Sequence, residues 1–171
     1  MLASLPLSVA LGCKGGSCAP ACAVHRHRGY HHLIAATTIF AGAAIYINAV
    51  EHPARMGCST ELAATEWAPS YRRATWMQAP LAIIGFLASL WAWSLGAGQL
   101  WLVGGLLIAS VVPFTLLVIE PRTNKRLLEH GRDLASAETR ALLVRWGQLH
   151  AVRSILASVA AAIFIWQAVA A

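Results

Sequence analysis

Charge is what this chain most conspicuously lacks. Only 12% of its 171 residues are Asp, Glu, Lys or Arg, about half of the ~25% that a soluble domain carries. With 58% of the chain hydrophobic, so few charged groups cannot cover one soluble core, and much of the surface must face something other than water. The shortage excludes an intrinsically disordered chain, which needs low hydrophobicity and high charge. It also excludes a nucleic-acid binder despite the net charge of +6, because basic residues of that kind form a stripe on a polar domain. Acidic residues are missing altogether from four apolar runs, residues 33–50, 79–95, 100–119 and 151–171, each near the ~20 residues that cross a bilayer. Their one basic residue, Arg153, lies in the first turn of the fourth run, where its stem can snorkel to the interface. No ionisable residue reaches a midplane, which disfavours a transporter. Period-two alternation is absent too, so the runs are helices. Paired Cys-x-x-Cys spacing is missing as well: Cys13, Cys18 and Cys22, followed by His25, His27, His31 and His32, match no zinc pattern and give no disulfide framework.

What remains describes an all-α, four-transmembrane-helix antiparallel bundle with long first and third connections on one side. Residues 1–30 form a mobile Cys/His-rich tail and 31–171 the membrane domain. The second and third runs are joined by a short Gly-rich turn, residues 94–99, which permits only antiparallel neighbours. The other two connections hold nearly all the charge, including Arg55, Arg72, Arg73, Arg122, Lys125, Arg126, Arg132, Arg140 and Arg145. The positive-inside rule makes them cytoplasmic and both termini external. Ala41 to Ala44, Gly105 with Ala109, and Ala157 with Ala161 supply small-residue contact faces. Trp91, Trp93, Trp101 and Trp166 read as an aromatic belt at the external helix ends. A helix starting after Ser136 should run into the fourth crossing and project beyond the bilayer. Residues 124–134 fit an interfacial amphipathic segment.

Antiparallel packing brings four polar helix ends to one membrane face. The first helix ends Asn48-Ala49-Val50-Glu51-His52-Pro53-Ala54-Arg55. The second is approached through Trp67, Tyr71-Arg72-Arg73, Trp76 and Gln78, the third ends Glu120-Pro121-Arg122-Thr123-Asn124, and the fourth begins Trp146 to Ser154. Trp146, His150 and Arg153 at i, i+4 and i+7 share one face. Glu51 and Glu120 each sit at a helix C-terminus, disfavoured there by ~0.3–1 kcal/mol against the macrodipole. Compensation is expected from Arg55, Arg72, Arg122 and Arg153. Pro113 removes a hydrogen bond to the Ala109 carbonyl and should kink the third helix, opening space on one side.

These stretches together, Tyr46 to Arg55, Trp67 with Tyr71 to Thr75, Pro113-Phe114-Thr115 leading to Pro121 to Asn124, and Trp146 with Leu149 to Ser154, resemble small bacterial membrane proteins of unknown function grouped with the fungal anthrone oxygenases. The resemblance covers residues 33–171. It implies a four-helix membrane protein and, for the oxygenase branch, insertion of oxygen from O2 into an electron-rich polycyclic phenol without a known cofactor. Glu51, His52, Arg55, Asn124, Trp146, His150 and Arg153 are its motif positions.

Three functions follow. In a cofactor-free oxygenase, His150 or His52 removes a phenolic or benzylic proton beside Glu51. Arg55, Arg72, Arg122 and Arg153 hold the anion, Trp67 and Trp146 give a stacking surface, and Tyr71 and Asn124 complete the substrate set. In a non-haem metal oxidoreductase, Glu51, His52 and His150 supply the ligands, provided Pro53 distorts the helix end. In a non-catalytic bundle the polar cluster is structural and the chain binds a lipid, quinone or partner protein. The partners expected are the lipid bilayer and a hydrophobic small molecule, with no nucleic acid; the cofactor and oligomeric state are left open.

Overall fold

The computed structural model describes residues 31–170; the tail expected over residues 1–30 lies outside them. Four helices are long and apolar enough to cross a membrane: α1 (His31–Met56), α2 (Thr60–Ser94), α3 (Gln99–Leu127) and α4 (Ala137–Ala170). Each packs on its neighbours in a ring, α1 against α2 and α4, α3 against α2 and α4, with α2 and α4 also touching across the centre. The all-α antiparallel bundle is as the apolar runs predict.

The two long connections are helical over most of their length. Residues 51–78 extend α1 and α2, leaving only residues 57–59 as the turn, and residues 137–150 extend α4. With 35 and 34 residues, α2 and α4 are about 50 Å long at ~1.5 Å per residue, roughly 20 Å beyond a ~30 Å hydrocarbon layer. Ser59 Oγ caps α2 by accepting from Leu62 N–H (3.3 Å), and Ser136 Oγ caps α4 through Thr139 N–H (3.2 Å), so the Ser136 start signal is met. At the opposite end Gly96 and Gly98 take φ of +79° and +113°, left-handed conformations that close the short turn and that a side chain would strain.

Pro53 and Pro121 do not end their helices as expected. The chain widens into π-helix over Ile47–Glu51 and Thr115–Asn124 and then resumes regular helix. His52 N–H bonds the Ile47 carbonyl and Lys125 N–H the Glu120 carbonyl, each five residues back. A proline has no N–H for the ordinary i→i−4 bond, so it is tolerated where that ladder is already interrupted.

The core has three layers. Phe40, Ala41, Ala44, Ile108 and Ala157 fill the middle. Leu33, Ala92, Trp101 and Phe164 fill the end bearing the short turn, where Trp101 stacks on Phe164 at 5.4 Å. Trp101 is therefore core rather than aromatic belt; its indole is covered by α4, whereas Trp91 and Trp166 are exposed. Ile47, Trp67, Ile119, Leu143 and Trp146 fill the end with the long connections. Leu127 and Leu134 pack onto this third layer, so their part of residues 124–134 is covered by the bundle instead of resting on lipid. Small residues set the close approaches: a Cβ on Gly105 would strike Ser89, one on Gly104 would strike Phe164, and one on Gly85 would lie 2.6 Å from Thr37 Oγ1.

Candidate functional site

A narrow cleft opens in the third layer, and its lining follows helical periodicity. Ile47, Glu51 and Arg55 come from one face of α1, Trp67, Ser70, Tyr71, Ala74, Thr75 and Gln78 from one face of α2, and Trp146, His150 and Arg153 from α4. The i, i+4, i+7 set on α4 is gathered as the spacing predicts. The inner cleft has about 20 Å³ of free volume, room for about one water-sized molecule.

His150 is 1% exposed, and its ring is fixed by Asn48. Asn48 Nδ2 donates to the Gly147 carbonyl (3.0 Å), so Oδ1 is the atom that faces His150 Nδ1 at 2.6 Å. The same Oδ1 accepts from Ser154 Oγ (2.6 Å). An amide oxygen offers no proton, so Nδ1 must carry the ring hydrogen and Nε2 keeps its lone pair. Among the described residues no side chain bonds that Nε2. Trp146 lies against the imidazole with centroids 4.8 Å apart, and Trp67 meets Trp146 edge-on at 5.7 Å. Trp67 also stacks on Tyr71 at 5.2 Å and 4°. An aromatic wall thus runs from α2 to α4, holding a buried histidine in one tautomer.

Glu51 is compensated as expected and Glu120 is not. Arg55, buried, donates to Glu51 within α1. Glu120 accepts from Tyr71 Oη (3.2 Å) and Asn124 Nδ2 (2.8 Å), and among the described residues no ion pair joins it to an arginine. Both glutamates precede further helical turns instead of ending a helix, so the macrodipole argument applied to them overstated the need for cations. Arg72 and Arg122 are exposed. Arg72 lines a separate depression of about 420 Å³ on the outer face of α2 with Trp76, Pro80 and Ile83, and Arg122 lines neither. Asn124 is wholly buried and supports Glu120 from behind.

His52 lies on the far side of Trp146, 5.2 Å between ring centroids, and lines a groove with Asn48, Met56, Val144, Gly147 and Gln148. It packs so closely on α4 that a Cβ on Gly147 would fall 2.5 Å from its Nε2. Expecting Glu51, His52, Arg122 and His150 on one rim is thus corrected: Glu51 and His150 share the cleft, His52 faces away, and Arg122 is outside. Successive residues on a helix point ~100° apart, and Pro53 does not bend Glu51 and His52 together. Among the described residues no three His, Cys, Asp or Glu side chains are grouped to hold a metal ion, so Glu51, His52 and His150 do not form the ligand triad of the metal reading.

Gln78, named at the entry of the second helix but given no role, completes the cleft lining, while Asn48 and Ser154 stand behind His150. Asn48, Ser154 and Gln78 are uncharged, and polar amides or hydroxyls in an apolar run look like tolerated exceptions until a partner helix supplies the reason. Gln78 Oε1 accepts from Arg153 (3.0 Å); its place seven residues after Tyr71, on the same α2 face, was the available signal.

No solved structure matches the chain. The anthrone oxygenase tpcL of Aspergillus fumigatus is 40% identical over 75 residues, covering 43% of this chain and 47% of that protein; the chain thus spans about half the length of the curated relative it matches. The anthrone oxygenase family model matches residues 67–163, which takes in the cleft faces of α2 and α4 and leaves the Asn48 to Arg55 stretch of α1 outside. With more than half of its length matched, the chain belongs to the anthrone oxygenase family.

Proposed function

We propose that the protein is a membrane oxygenase that oxidises a hydrophobic phenol carrying a methylene between aromatic rings. The observation that carries this reading is the His150 tautomer: Asn48 holds the Nδ1 hydrogen and leaves Nε2 as a base on a narrow cleft that admits only the reacting edge of a substrate. His150 Nε2 takes a proton from the phenol or the methylene, Arg153 holds the oxyanion, and the electron-rich anion reacts with O2. The balance closes without an external reductant. Two C–H bonds of the methylene give up four electrons, one oxygen atom becomes the new carbonyl, and the other leaves as water. Arg55 and Glu51 close the α1 side, while Trp67, Tyr71 and Trp146 form the wall. His52 backs Trp146, Asn124 orients Glu120 toward Tyr71, and Arg72 and Arg122 have no part in the cleft.

In this reading the protein is a multi-pass protein of the cell membrane, with the 57–59 turn and residues 128–136 cytoplasmic and both ends of the bundle's chain external. The test is purified protein in nanodiscs supplied with 18O2 and 1,8-dihydroxyanthrone. The expected result is one labelled oxygen in each quinone, formed faster than in empty nanodiscs. A rate no greater than that background, across such substrates, refutes the proposal.

A further inference from the structure

The cleft is short of hydrogen-bond acceptors. Among the described residues, buried side-chain atoms without a partner include Arg55 Nε, Trp67 Nε1, Gln78 Nε2 and Arg153 Nε, and all four residues line this cleft. Every one of these atoms is an N–H donor. Buried donors are normally paired, since burying them bare is costly. The single carboxylate of the cleft lining, Glu51, is already engaged by Arg55. Arg153 is in no ion pair among the described residues; its guanidinium has Gln78 Oε1 at 3.0 Å and the Phe40 ring at 5.9 Å. A positive charge and several bare donors without an acceptor are the complement of an anionic oxygen.

A second cleft leads to the same two side chains. It lies between α2 and α3, shares Thr75, Gln78 and Arg153 with the first, and is otherwise apolar except for Thr115, whose hydroxyl donates to the Val111 carbonyl, with Ala82, Val111, Val112 and Leu116 among its walls. Its free volume is about 110 Å³, against about 20 Å³ inside, so a bulky apolar body fits the outer cleft and only its polar end reaches inward. Val112 and Leu116, 40% and 61% exposed, set its rim on the face that an apolar bundle turns to lipid. Each wall carries a proline, Pro80 and Pro113, and α3 widens from Thr115 onward, which together loosen the packing between these two helices.

We propose that the α2–α3 cleft is a lateral portal and binding site: it takes the apolar body of an amphiphile dissolved in the bilayer and delivers its oxyanion to Arg153 and Gln78. The portal rests on the proposed oxygenase reading, since Arg153 holds the same oxyanion there, but its test measures binding without turnover, so the two readings fail separately.

The experiment compares anthracene-2-carboxylate with its neutral carboxamide on purified protein in nanodiscs, read by probe fluorescence. Wild-type protein is expected to bind the carboxylate about ten-fold or more tightly. Arg153→Gln should abolish that preference while leaving carboxamide binding, Arg153→Lys should keep part of it, and Leu116→Trp should weaken both probes. Displacement by oleate would identify an acyl-chain anion as the resident ligand, and resistance to oleate a flat aromatic one; either outcome supports the portal. Equal affinity for the two probes in wild-type protein overturns the proposal. So does a carboxylate preference that survives in Arg153→Gln protein that melts as wild type does.

Discussion

Replacing Asn48 with alanine should damage both the stability of the bundle and the order of its site, because this one amide joins α1 to three groups on α4. It donates to the Gly147 carbonyl (3.0 Å) and accepts from His150 and Ser154 (2.6 Å each). Interhelical hydrogen bonds in membrane proteins average only ~0.6 kcal/mol in double-mutant cycles, which sets a floor of about 2 kcal/mol for the three. Truncation also strands partners. Ser154 Oγ keeps the Ala44 carbonyl at 3.0 Å, but the His150 N–H, in a ring 1% exposed, loses its one side-chain acceptor among the described residues, and a buried polar group left bare costs about 1–3 kcal/mol. The total is about 3–5 kcal/mol. At roughly 2–4 °C per kcal/mol for a chain of this size, Tm in detergent, followed by tryptophan fluorescence, should fall on the order of 6–20 °C. Asn48→Asp separates the roles: its carboxylate still accepts from His150 but cannot donate to Gly147, so it should melt between the two while retaining more turnover than Asn48→Ala. An Asn48→Ala protein that melts within about 2 °C of wild type would refute the reasoning.

Gly147→Ala places a methyl 2.5 Å from His52 Nε2 and 2.6 Å from Cδ2, a steric cost of about 1–3 kcal/mol. Thermal melts should show that His52→Ala relieves most of it in the double variant, and strict additivity would contradict the contact. Glu120→Ala should lower stability by about 1–3 kcal/mol by stranding Tyr71 and Asn124, whereas Glu120→Gln, whose amide oxygen still accepts, should cost about half as much; equal losses would argue that charge matters here, not acceptance. Arg140 donates to the Met56 and Cys58 carbonyls, tying the α1–α2 turn to α4, so Arg140→Ala should speed proteolysis at residues 57–59, a change that limited digestion detects. Cys58 is a free, exposed thiol in that turn. With Cys13, Cys18 and Cys22 replaced by serine, an impermeant maleimide should label it only after permeabilisation, and labelling of intact cells would reverse the proposed orientation.

The bundle was legible because bilayer length and the exclusion of charge act on composition alone. Every apolar run lies in a spanning helix, and the Trp146, His150 and Arg153 face was readable because helical spacing is rigid. Pro53 and Pro121 were misleading. Proline removes one N–H, and sequence does not say whether the chain answers by stopping or by widening, as it does over Ile47–Glu51 and Thr115–Asn124. That choice decided the site, since a helix stopping at Pro53 leaves Glu51 and His52 free to converge, while one that continues sends them to opposite sides of Trp146. The arginines misled for another reason: Arg72 and Arg122 are next to motif residues in sequence, yet neighbours on a helix differ by ~100° in direction. Asn48 and Gln78 stood in the polar helix ends, but their roles stayed hidden because the partner helix supplies them. Trp101 was assigned to the belt by its position near a helix end, which says nothing about whether Phe164 covers it.

If His150 is the base of this cleft, as proposed, the surface arginines are dispensable for turnover. Oxygen uptake with 1,8-dihydroxyanthrone should be compared for wild-type, His150→Ala and Arg122→Ala protein in nanodiscs, each melting as a folded bundle. The account predicts a loss of about 10²–10⁴-fold for His150→Ala, the usual contribution of a positioned base, and a wild-type rate for Arg122→Ala. A folded His150→Ala protein that consumes oxygen at the wild-type rate would contradict it.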